Sequence, residues 1–431
     1  MKNEMLSEKI ISTYKAILKE ELVPAMGCTE PIAIAYAASV LRDVLGDSPD
    51  SVKVGLSGNI IKNVKSVVVP ATGGMRGITA AVAAGIISGA PQKKLEVLSA
   101  LQSGDIKNIS AYIESTPIEI FELETENPFE LDMVGSCGDK TARVHIVSRH
   151  TNLTLVECDG ADLTQKYRLN ESDTPEYAAD RELLNVKSIV DFAENADISD
   201  LVPVLRRQIE MNMAIANEGI TGKYGAAIGA LLYRDGDCTL RDRARAFAAA
   251  GSDARMSGCE LPVCIISGSG NQGMTASVPV VIYARQMGAD EETLMRALIV
   301  SNLITIHQKT GIGCLSAYCG AISAGCGCGT GICYLCGGRY YEIAHTLVNS
   351  LAILSGTICD GAKASCAAKI SMAVDAGIMG YEMMKSGHQF YGGDGIITKG
   401  VENTIRNVGR LARDGMSETD RQIIKIMLGE A

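Results

Sequence analysis

The segment IGCLSAYCGAISAGCGCGTGIC, residues 312–333, shows most clearly how this chain is built. No charged residue occurs between Lys309 and Arg339, and cysteine, glycine and alanine take the place of large aliphatic residues. An uncharged run of this length is sufficient to cross a bilayer, but it lacks the Leu, Ile, Val and Phe density of a lipid-facing helix. The segment is therefore predicted to lie inside a helical core, and no membrane partner is expected.

The composition of the whole chain, 431 residues, agrees with a folded protein whose elements pack closely. Hydrophobic residues make up 47% and charged residues 21%, which is typical of a globular protein. There are 45 glycines and no tryptophan, so that helices can approach each other over small side chains. The net charge of −10 and the aromatic content of 4% disfavour nucleic acid as a partner.

The periodicity of hydrophobic residues predicts an α+β fold, with a mostly helical catalytic domain and a smaller α/β domain in the N-terminal half. Residues 1–45 are predicted to form N-terminal helices that pack on the catalytic domain. Residues 46–165 are predicted to form the α/β domain, and residues 166–431 the helical catalytic domain.

Capping residues and alternating patterns place the individual elements. A helix is expected over residues 7–22 behind the N-cap Ser7. A loop over residues 25–30 leads to a second helix, for which Thr29 is the expected N-cap and Pro31 lies in the first turn. The remaining predictions are strands at 51–56, 66–69, 117–124, 141–149 and 152–158, and two helical segments within 74–105.

The 14 cysteines are the main chemical signal of the sequence. The first residues are polar and no apolar signal segment follows them, so a reducing, cytoplasmic location is expected. Thiolates bind soft metals and iron–sulfur clusters, and neighbouring glycines let backbone N–H groups reach cluster sulfurs. Cys333 and Cys336 form one Cys-x-x-Cys pair of the kind that zinc uses, without a matching second pair. The spacing alone leaves core packing, zinc and iron–sulfur ligation open.

A glycine-rich turn with the sequence GSGNQG, Gly268–Gly273, follows an apolar run and precedes a predicted helix. The pattern is typical of a dinucleotide-binding unit, but no series of βαβ units follows it. We interpret it as a site for a substrate carboxylate, formed by backbone amides at Gly270 and Gly273 and by the side chain of Asn271.

Other polar residues are weaker candidates. Arg76, after a second glycine-rich turn, is a further candidate for the carboxylate. Lys363 is the nearest candidate for the Schiff-base lysine of a pyridoxal-phosphate enzyme, and we expect it instead to pair with an acid or with the substrate. Lys62 and Asn63 are low-grade candidates for substrate binding, and the histidines 307, 345 and 388 are expected to be structural.

Four short motifs together make the chain similar to a known family. MGCTEP at 26–31 places Cys28 directly before a predicted helix, where the macrodipole favours a thiolate. With GSGNQG at 268–273, GCG at 325–327, and CDG at 359–361 followed by Cys366, it resembles the L-cysteine desulfidase family. That family is related to the catalytic alpha chain of iron–sulfur L-serine dehydratases, and the resemblance covers nearly the whole chain. In contrast to the dehydratase pattern, the last two cysteines are closer together and Gly361 replaces a proline.

The resemblance implies a 4Fe–4S cluster that is held by three cysteines and leaves one iron open. Related enzymes place a proton-accepting cysteine in the first motif, so Cys28 is the expected base. The expected cluster ligands are Cys326, Cys359 and Cys366, with Cys314, Cys319 and Cys328 as substitutes.

The reaction that the resemblance implies is elimination of sulfide from L-cysteine, giving pyruvate, ammonia and hydrogen sulfide. An enzyme of the same fold acting on L-serine or another β-substituted amino acid is the first alternative, because the leaving group is a property of the pocket. A thiol-rich redox or metal sensor is the alternative of another class, although no basic recognition segment is visible. The expected partner is a small amino-acid substrate, and helices of small residues are compatible with a homodimer.

Overall fold

The computed structural model describes residues 6–168, 179–233, 238–313 and 315–429. It confirms the predicted α+β class: a mixed sheet in the N-terminal half is followed by a helical body. The described helices are α1 (Glu8–Glu21), α2 (Thr29–Leu45), α3 (Gly58–Val64), α4 (Gly77–Ser88), α5 (Asp105–Ser115), α6 (Thr164–Arg168), α7 (Val186–Asn195), α8 (Val202–Gly219), α9 (Ile228–Leu232), α10 (Leu240–Met256), α11 (Gly270–Met287), α12 (Glu291–Ile312), α13 (Gly320–Leu335), α14 (Tyr340–Ile353), α15 (Cys366–Lys385), α16 (Val401–Arg410) and α17 (Ser417–Leu428). The described strands are β1 (Pro24–Met26), β2 (Ser51–Leu56), β3 (Ile118–Glu122), β4 (Glu130–Cys137), β5 (Lys140–Val147), β6 (Leu153–Cys158), β7 (Ala161–Asp162) and β8 (Pro262–Cys264).

The first two helices begin close to where the sequence places them. The Ser7 side chain accepts a hydrogen bond from the Ile10 amide at 3.4 Å, which confirms it as the N-cap of α1. The prediction of Thr29 as the N-cap of α2 is wrong by one residue, because Cys28 has the extended backbone of an N-cap. The hydroxyl of Thr29 instead donates to the Gly268 carbonyl at 2.6 Å and so ties α2 to the turn before α11.

The six-stranded sheet has the order β3-β2-β4-β5-β6-β7, and only the pair β2–β3 is parallel. Strands predicted at 51–56, 117–124, 141–149 and 152–158 are confirmed within a few residues. The strand predicted at 66–69 is wrong, since Val68 makes only an isolated bridge to Arg76 across a tight turn. Strand β4 was not predicted, because Asp132, Gly135 and Ser136 weaken its alternating pattern.

The region between β2 and β3 holds one of the two helical segments predicted within 74–105. This is α4, which is buried along its centre. The second segment, Pro91–Ala100, is a 3₁₀ helix rather than an α-helix, and it is interrupted at Lys94, where φ is +47°. The positive φ of Lys94 interrupts the regular helix, whereas a proline in the first turn is compatible with an α-helix.

The helical body confirms the predicted burial for most of the uncharged segment: residues 321–335 are buried, whereas Gly313, Cys336 and Gly337 are exposed. The uncharged segment forms the end of α12 and all of α13, whose residues after Gly320 are buried. A Cβ atom on Gly325 would lie 2.3 Å from the Ala373 carbonyl oxygen of α15, so only glycine allows this close helix contact. None of the described helices combines the length and the apolarity that a bilayer span requires.

A short antiparallel pair, β1 with β8, connects two distant parts of the chain. Pro24 lies opposite Cys264 and Met26 opposite Pro262, so the predicted loop at 25–30 is partly a strand. Since α2 follows β1 and α11 follows β8, this pair brings the first turns of the two helices together. Helix α1 contacts α12, whereas α2 packs against β4 and β5, and the division into three domains stays a prediction.

Candidate active site

A cavity of about 100 Å³ lies where the N-termini of α2, α11, α13 and α15 meet. Its walls include Cys28 and Glu30 from α2, Asn271 from α11, Cys319 before α13 and Cys366 at the start of α15. The first turn of a helix has unsatisfied N–H groups and a partial positive charge. Four such ends around one cavity favour thiolates and a bound carboxylate.

The predicted carboxylate turn lies at this cavity, although its residues have different roles. Asn271 lines the cavity, and the Ser269 side chain caps α11 by accepting from the Gln272 amide at 3.5 Å. Gly270 and Gly273 are not in the wall. A Cβ on Gly270 would lie 2.5 Å from Arg255 Nε, and one on Gly273 would lie 2.0 Å from the Cys264 carbonyl oxygen. These two glycines therefore allow α11 to pack closely, and they orient the turn.

Arg76 does not reach the cavity. Its side chain is exposed and its Nη1 donates to the Ser66 carbonyl at 2.9 Å. The structure thus brings the Gly268–Gly273 turn to the candidate site but leaves Arg76 outside it. The same turn connects β8, a three-residue strand of an antiparallel pair, to α11, which is not the βαβ arrangement of a dinucleotide site.

Three cysteines line the cavity in addition to Cys28: Cys319, Cys359 and Cys366. An isolated antiparallel bridge pairs Tyr318 with Ile358, and the Cys319 amide donates to the Thr357 carbonyl at 2.8 Å. This short ladder places Cys319 next to Cys359, and the turn after Cys359 brings in Cys366.

The predicted ligand Cys326 lies elsewhere. It is 2% exposed, on α13 two turns after Cys319, and burial raises the pKa of its thiol to about 12. Cys328 is also buried outside the cavity, and its thiol donates to the Gly325 carbonyl at 3.1 Å. Cys314 lies outside the described residues. The structure therefore brings together two of the three expected ligands, with Cys319 from the substitutes as the third.

Cys359 differs from the other thiols of the cavity in its ionisation. A hydrogen bond from the Cys319 thiol, aided by the Lys62 ammonium and by the Gly361 amide, lowers the pKa of Cys359 to about 6. The same interaction, with burial, holds the pKa of Cys319 well above its usual value, and burial raises that of Cys366. At neutral pH, Cys359 is therefore a thiolate.

Gly361, the residue that departs from the dehydratase pattern, supports this thiolate. It has φ of +91°, in the left-handed region, and a Cβ there would lie 2.4 Å from the Lys62 carbonyl oxygen. Proline cannot adopt this φ and has no amide hydrogen to donate to Cys359. Lys363, beside it, forms an ion pair with Asp360, as expected, and its ammonium also donates to the Asp360 carbonyl at 3.0 Å.

Cys28 is at the helix N-terminus as predicted, but the expectation of a lowered pKa is wrong. Burial and the neighbouring carboxylate of Glu30 raise the pKa of the Cys28 thiol well above its usual value. The thiol donates a hydrogen bond to Glu30 Oε2 at 3.0 Å. Burial opposes ionisation of Glu30, yet His150 and this hydrogen bond lower the pKa of its carboxyl group overall. The pair is thus a neutral thiol and a buried carboxylate.

Several polar atoms in the wall have no hydrogen-bond partner among the described residues. These buried atoms belong to side chains from four different parts of the chain, and all of those side chains line the same cavity. Because native proteins rarely leave such atoms unsatisfied, they indicate a place for a polar ligand. They are Asn63 Oδ1, His150 Nε2, Asn271 Oδ1, Gln272 Oε1 and Tyr318 OH.

Sequence reasoning assigned no role to four of the residues in this wall. Glu30 belongs to the MGCTEP motif, and its position inside an almost entirely apolar helix could have indicated a functional role. Nothing in the sequence indicates a functional role for His150, Arg255 or Lys309, because each is a single polar residue in an ordinary sequence context. Arg255 is 2% exposed, and its Nε donates to the Gly27 carbonyl at 2.9 Å, which adds positive charge beside Cys28.

The comparisons with known proteins identify the family of the chain. The family model for the serine dehydratase alpha chain matches residues 92–425. The chain belongs to the serine dehydratase alpha chain family. It is 53% identical over 423 residues to a UPF0597 protein of Desulfitobacterium hafniense, which covers 98% of both chains. It is 47% identical over 412 residues to a UPF0597 protein of Lachnoclostridium phytofermentans, a match that covers 96% of this chain and 98% of the relative. It is 43% identical over 420 residues to a UPF0597 protein of Treponema denticola, with coverages of 96% and 97%.

The matched range of the serine dehydratase alpha chain family includes Cys319, Cys359, Cys366, Gly361 and the turn before α11. It begins after Cys28 and Glu30, which belong to the part covered by the full-length relatives. The resemblance that the sequence motifs indicated is therefore confirmed at the level of the family.

Proposed function

We propose that this protein is a lyase that eliminates a β-substituent from a small L-amino acid, with sulfide from L-cysteine as the favoured leaving group. The observation that carries the proposal is the cavity itself. Three cysteines, a thiol–carboxylate pair and five side chains with unpartnered polar atoms line it at the meeting point of four helix N-termini. Membership of the serine dehydratase alpha chain family supports the reaction class.

The cavity cysteines suit a 4Fe–4S cluster with Cys319, Cys359 and Cys366 as its ligands. No three His, Cys, Asp or Glu side chains of the described residues converge on the position of a single metal ion. A cubane cluster does not require that, because each thiolate binds a different iron. Cys359 supplies a thiolate ligand with a negative charge. The Gly361 amide beside it and the helix N-termini supply the positive field around that charge. When bound, such a cluster would supply an open iron, a Lewis acid toward the leaving sulfur or oxygen.

The protein's own groups account for the removal of the Cα proton. The Cys28 sulfur takes the proton from Cα as its own proton passes to Glu30 along their 3.0 Å hydrogen bond, so that no free thiolate forms beside the carboxylate. The C–S bond breaks with its electron pair on sulfur, and the proton on Glu30 is then returned to the departing sulfide. The substrate carboxylate is bound at the positive N-terminal end of α11, where Asn271 lines the cavity.

L-Serine dehydration is the second candidate, and it uses the same residues with hydroxide as the leaving group. The abundance of soft thiolate ligands favours sulfur as the leaving atom, since a cysteine-derived thiolate binds iron well. The two reactions are separated by comparing kcat/KM for L-cysteine and L-serine, measured as pyruvate release.

The test of the proposed function uses anaerobically reconstituted protein and a pair of matched variants. Cys319→Ala should lose bound iron, the broad visible absorption of the cluster and pyruvate formation together. Cys326→Ala, on the same helix but outside the cavity, should keep all three. If Cys326→Ala loses iron and Cys319→Ala keeps it, the ligand set is wrong. Iron that binds and changes redox state without pyruvate from either amino acid would favour the sensor alternative.

A further inference from the structure

His150 is a buried polar group that the proposed mechanism does not use. It lies in the turn between β5 and β6, at the edge of the sheet, and reaches the cavity formed by the helical body. Its ring packs edge-on against Phe129, with centroids 4.6 Å apart and an interplanar angle of 60°. A Cβ on Gly268 would lie 2.8 Å from His150 Cε1, so the glycine leaves room for the ring.

The ring nitrogen Nε2 is buried and has no hydrogen-bond partner among the described residues. His150 lines the candidate active site and also a second cavity of about 280 Å³. Ser267, Gly268 and Lys309 are shared by both cavities as well. The His150 side chain is thus part of the wall of both cavities, and its buried Nε2 is left without a protein partner.

The surroundings of Nε2 are rich in hydrogen-bond acceptors. Asn63 Nδ2 donates to Glu30 Oε1 at 3.0 Å, which fixes the orientation of this amide and leaves Asn63 Oδ1 as a free acceptor. Glu30 is an ionised carboxylate, and its charge acts on the imidazole. Burial, with the positive charge of Arg255, outweighs Glu30 and lowers the pKa of His150, which favours the neutral form of the ring. With its proton on Nδ1, a neutral imidazole presents Nε2 as an acceptor.

A negative carboxylate and two free acceptors in one corner of a cavity fit a small cation with several N–H donors. We propose that His150, Asn63 and Glu30 form the subsite for the α-ammonium group of the substrate. The inference rests on the proposed function in so far as the ligand is an amino acid. It gives the turn between β5 and β6 a direct part in substrate recognition.

The test compares two ligands that differ only in the amino group, L-homocysteine and 4-mercaptobutyrate. Neither carries a β-leaving group, so their dissociation constants are measured by calorimetry on the anaerobically reconstituted protein without turnover. His150→Phe keeps the ring volume and the contact with Phe129 but removes Nε2. It should weaken L-homocysteine binding by about tenfold or more and leave 4-mercaptobutyrate within about twofold. His150→Gln, whose amide oxygen reaches toward the position of Nε2, should recover part of the loss.

The matched control is His145→Phe, at a histidine of β5 that bonds Glu130 and Thr154 and does not line the cavity. It should leave both dissociation constants unchanged. If His150→Phe weakens the binding of both ligands equally, or of neither, the ammonium subsite is overturned. Pyruvate formation by the wild-type protein would still support the proposed function in that case. If the wild-type protein binds neither ligand and forms no pyruvate, the proposed function fails and the subsite with it.

Discussion

Substitution of Gly361 tests whether the segment from Cys359 to Cys366 requires a glycine at this position. In Gly361→Ala the new residue keeps φ near +91°, which costs about 1–3 kcal/mol for a residue with a side chain. Its Cβ would also lie 2.4 Å from the Lys62 carbonyl oxygen, a backbone atom. Lys62 cannot retreat easily, since its 1% exposed side chain is paired with Asp420. Forced repacking of this kind adds about 1–3 kcal/mol, so the expected loss is about 2–6 kcal/mol.

The assay is urea unfolding of the iron-free protein, together with iron content after anaerobic reconstitution. Gly356→Ala is the matched control in the same segment, because its nearest new contact is an ordinary 3.8 Å from Tyr318 and its φ is not left-handed. It should change the unfolding free energy by less than about 0.5 kcal/mol. Gly361→Pro, which also lacks the amide hydrogen that faces Cys359, should bind still less iron than Gly361→Ala. Equal stability and equal iron content in all three variants would refute the close-contact argument.

Three further changes test the buried charges of the protein. Glu30→Gln removes the acceptor of the Cys28 proton and should lower kcat by about 10²–10⁴-fold with iron content unchanged, whereas an unchanged kcat would remove Glu30 from the proton path. Asp420→Ala leaves the Lys62 ammonium buried without its counter-ion and should lower the free energy of unfolding in urea by about 3–5 kcal/mol. A loss below about 1 kcal/mol would show instead that this ammonium becomes hydrated. Burial raises the pKa of Asp253 to about 6, so its ionisation destabilises the folded protein above pH 6 and the penalty disappears as the pH falls toward the unfolded value. Asp253→Asn should therefore be more stable than wild type at pH 7.5 and equal to it at pH 4, and parallel stability curves would contradict this.

The sequence was sufficient to predict the α+β class, most strands of the sheet and the buried character of α13. It also brought Cys28, Asn271, Cys359 and Cys366 forward as site residues, and all four line one cavity. These predictions depend on local patterns, which periodicity, caps and short motifs report directly.

The choice between Cys319 and Cys326 depends on where a helix begins, which the sequence did not predict. At 1.5 Å per residue, Cys326 lies about 10 Å further along the axis of α13 than Cys319, well away from the helix N-terminus that faces the cavity. The ionisation of Cys28 likewise depends on the burial of its thiol and on the carboxylate of Glu30, which together raise its pKa and which only the tertiary structure reveals. His150 comes from a different region of the chain, and only the tertiary fold brings it to the site.

The glycine content has a direct connection with the position of the cysteines. A Cβ on Gly377 would lie 2.0 Å from the Gly325 carbonyl oxygen, and one on Gly329 would lie 2.3 Å from the Gly377 carbonyl oxygen. Helices α13 and α15 therefore touch backbone to backbone, at a separation that no larger residue permits. Because Cys319 and Cys366 stand at the first turns of these two helices, the separation of the helices sets the separation of the two thiols. The small residues that allow this close packing thus determine how far apart Cys319 and Cys366 lie in the cavity wall.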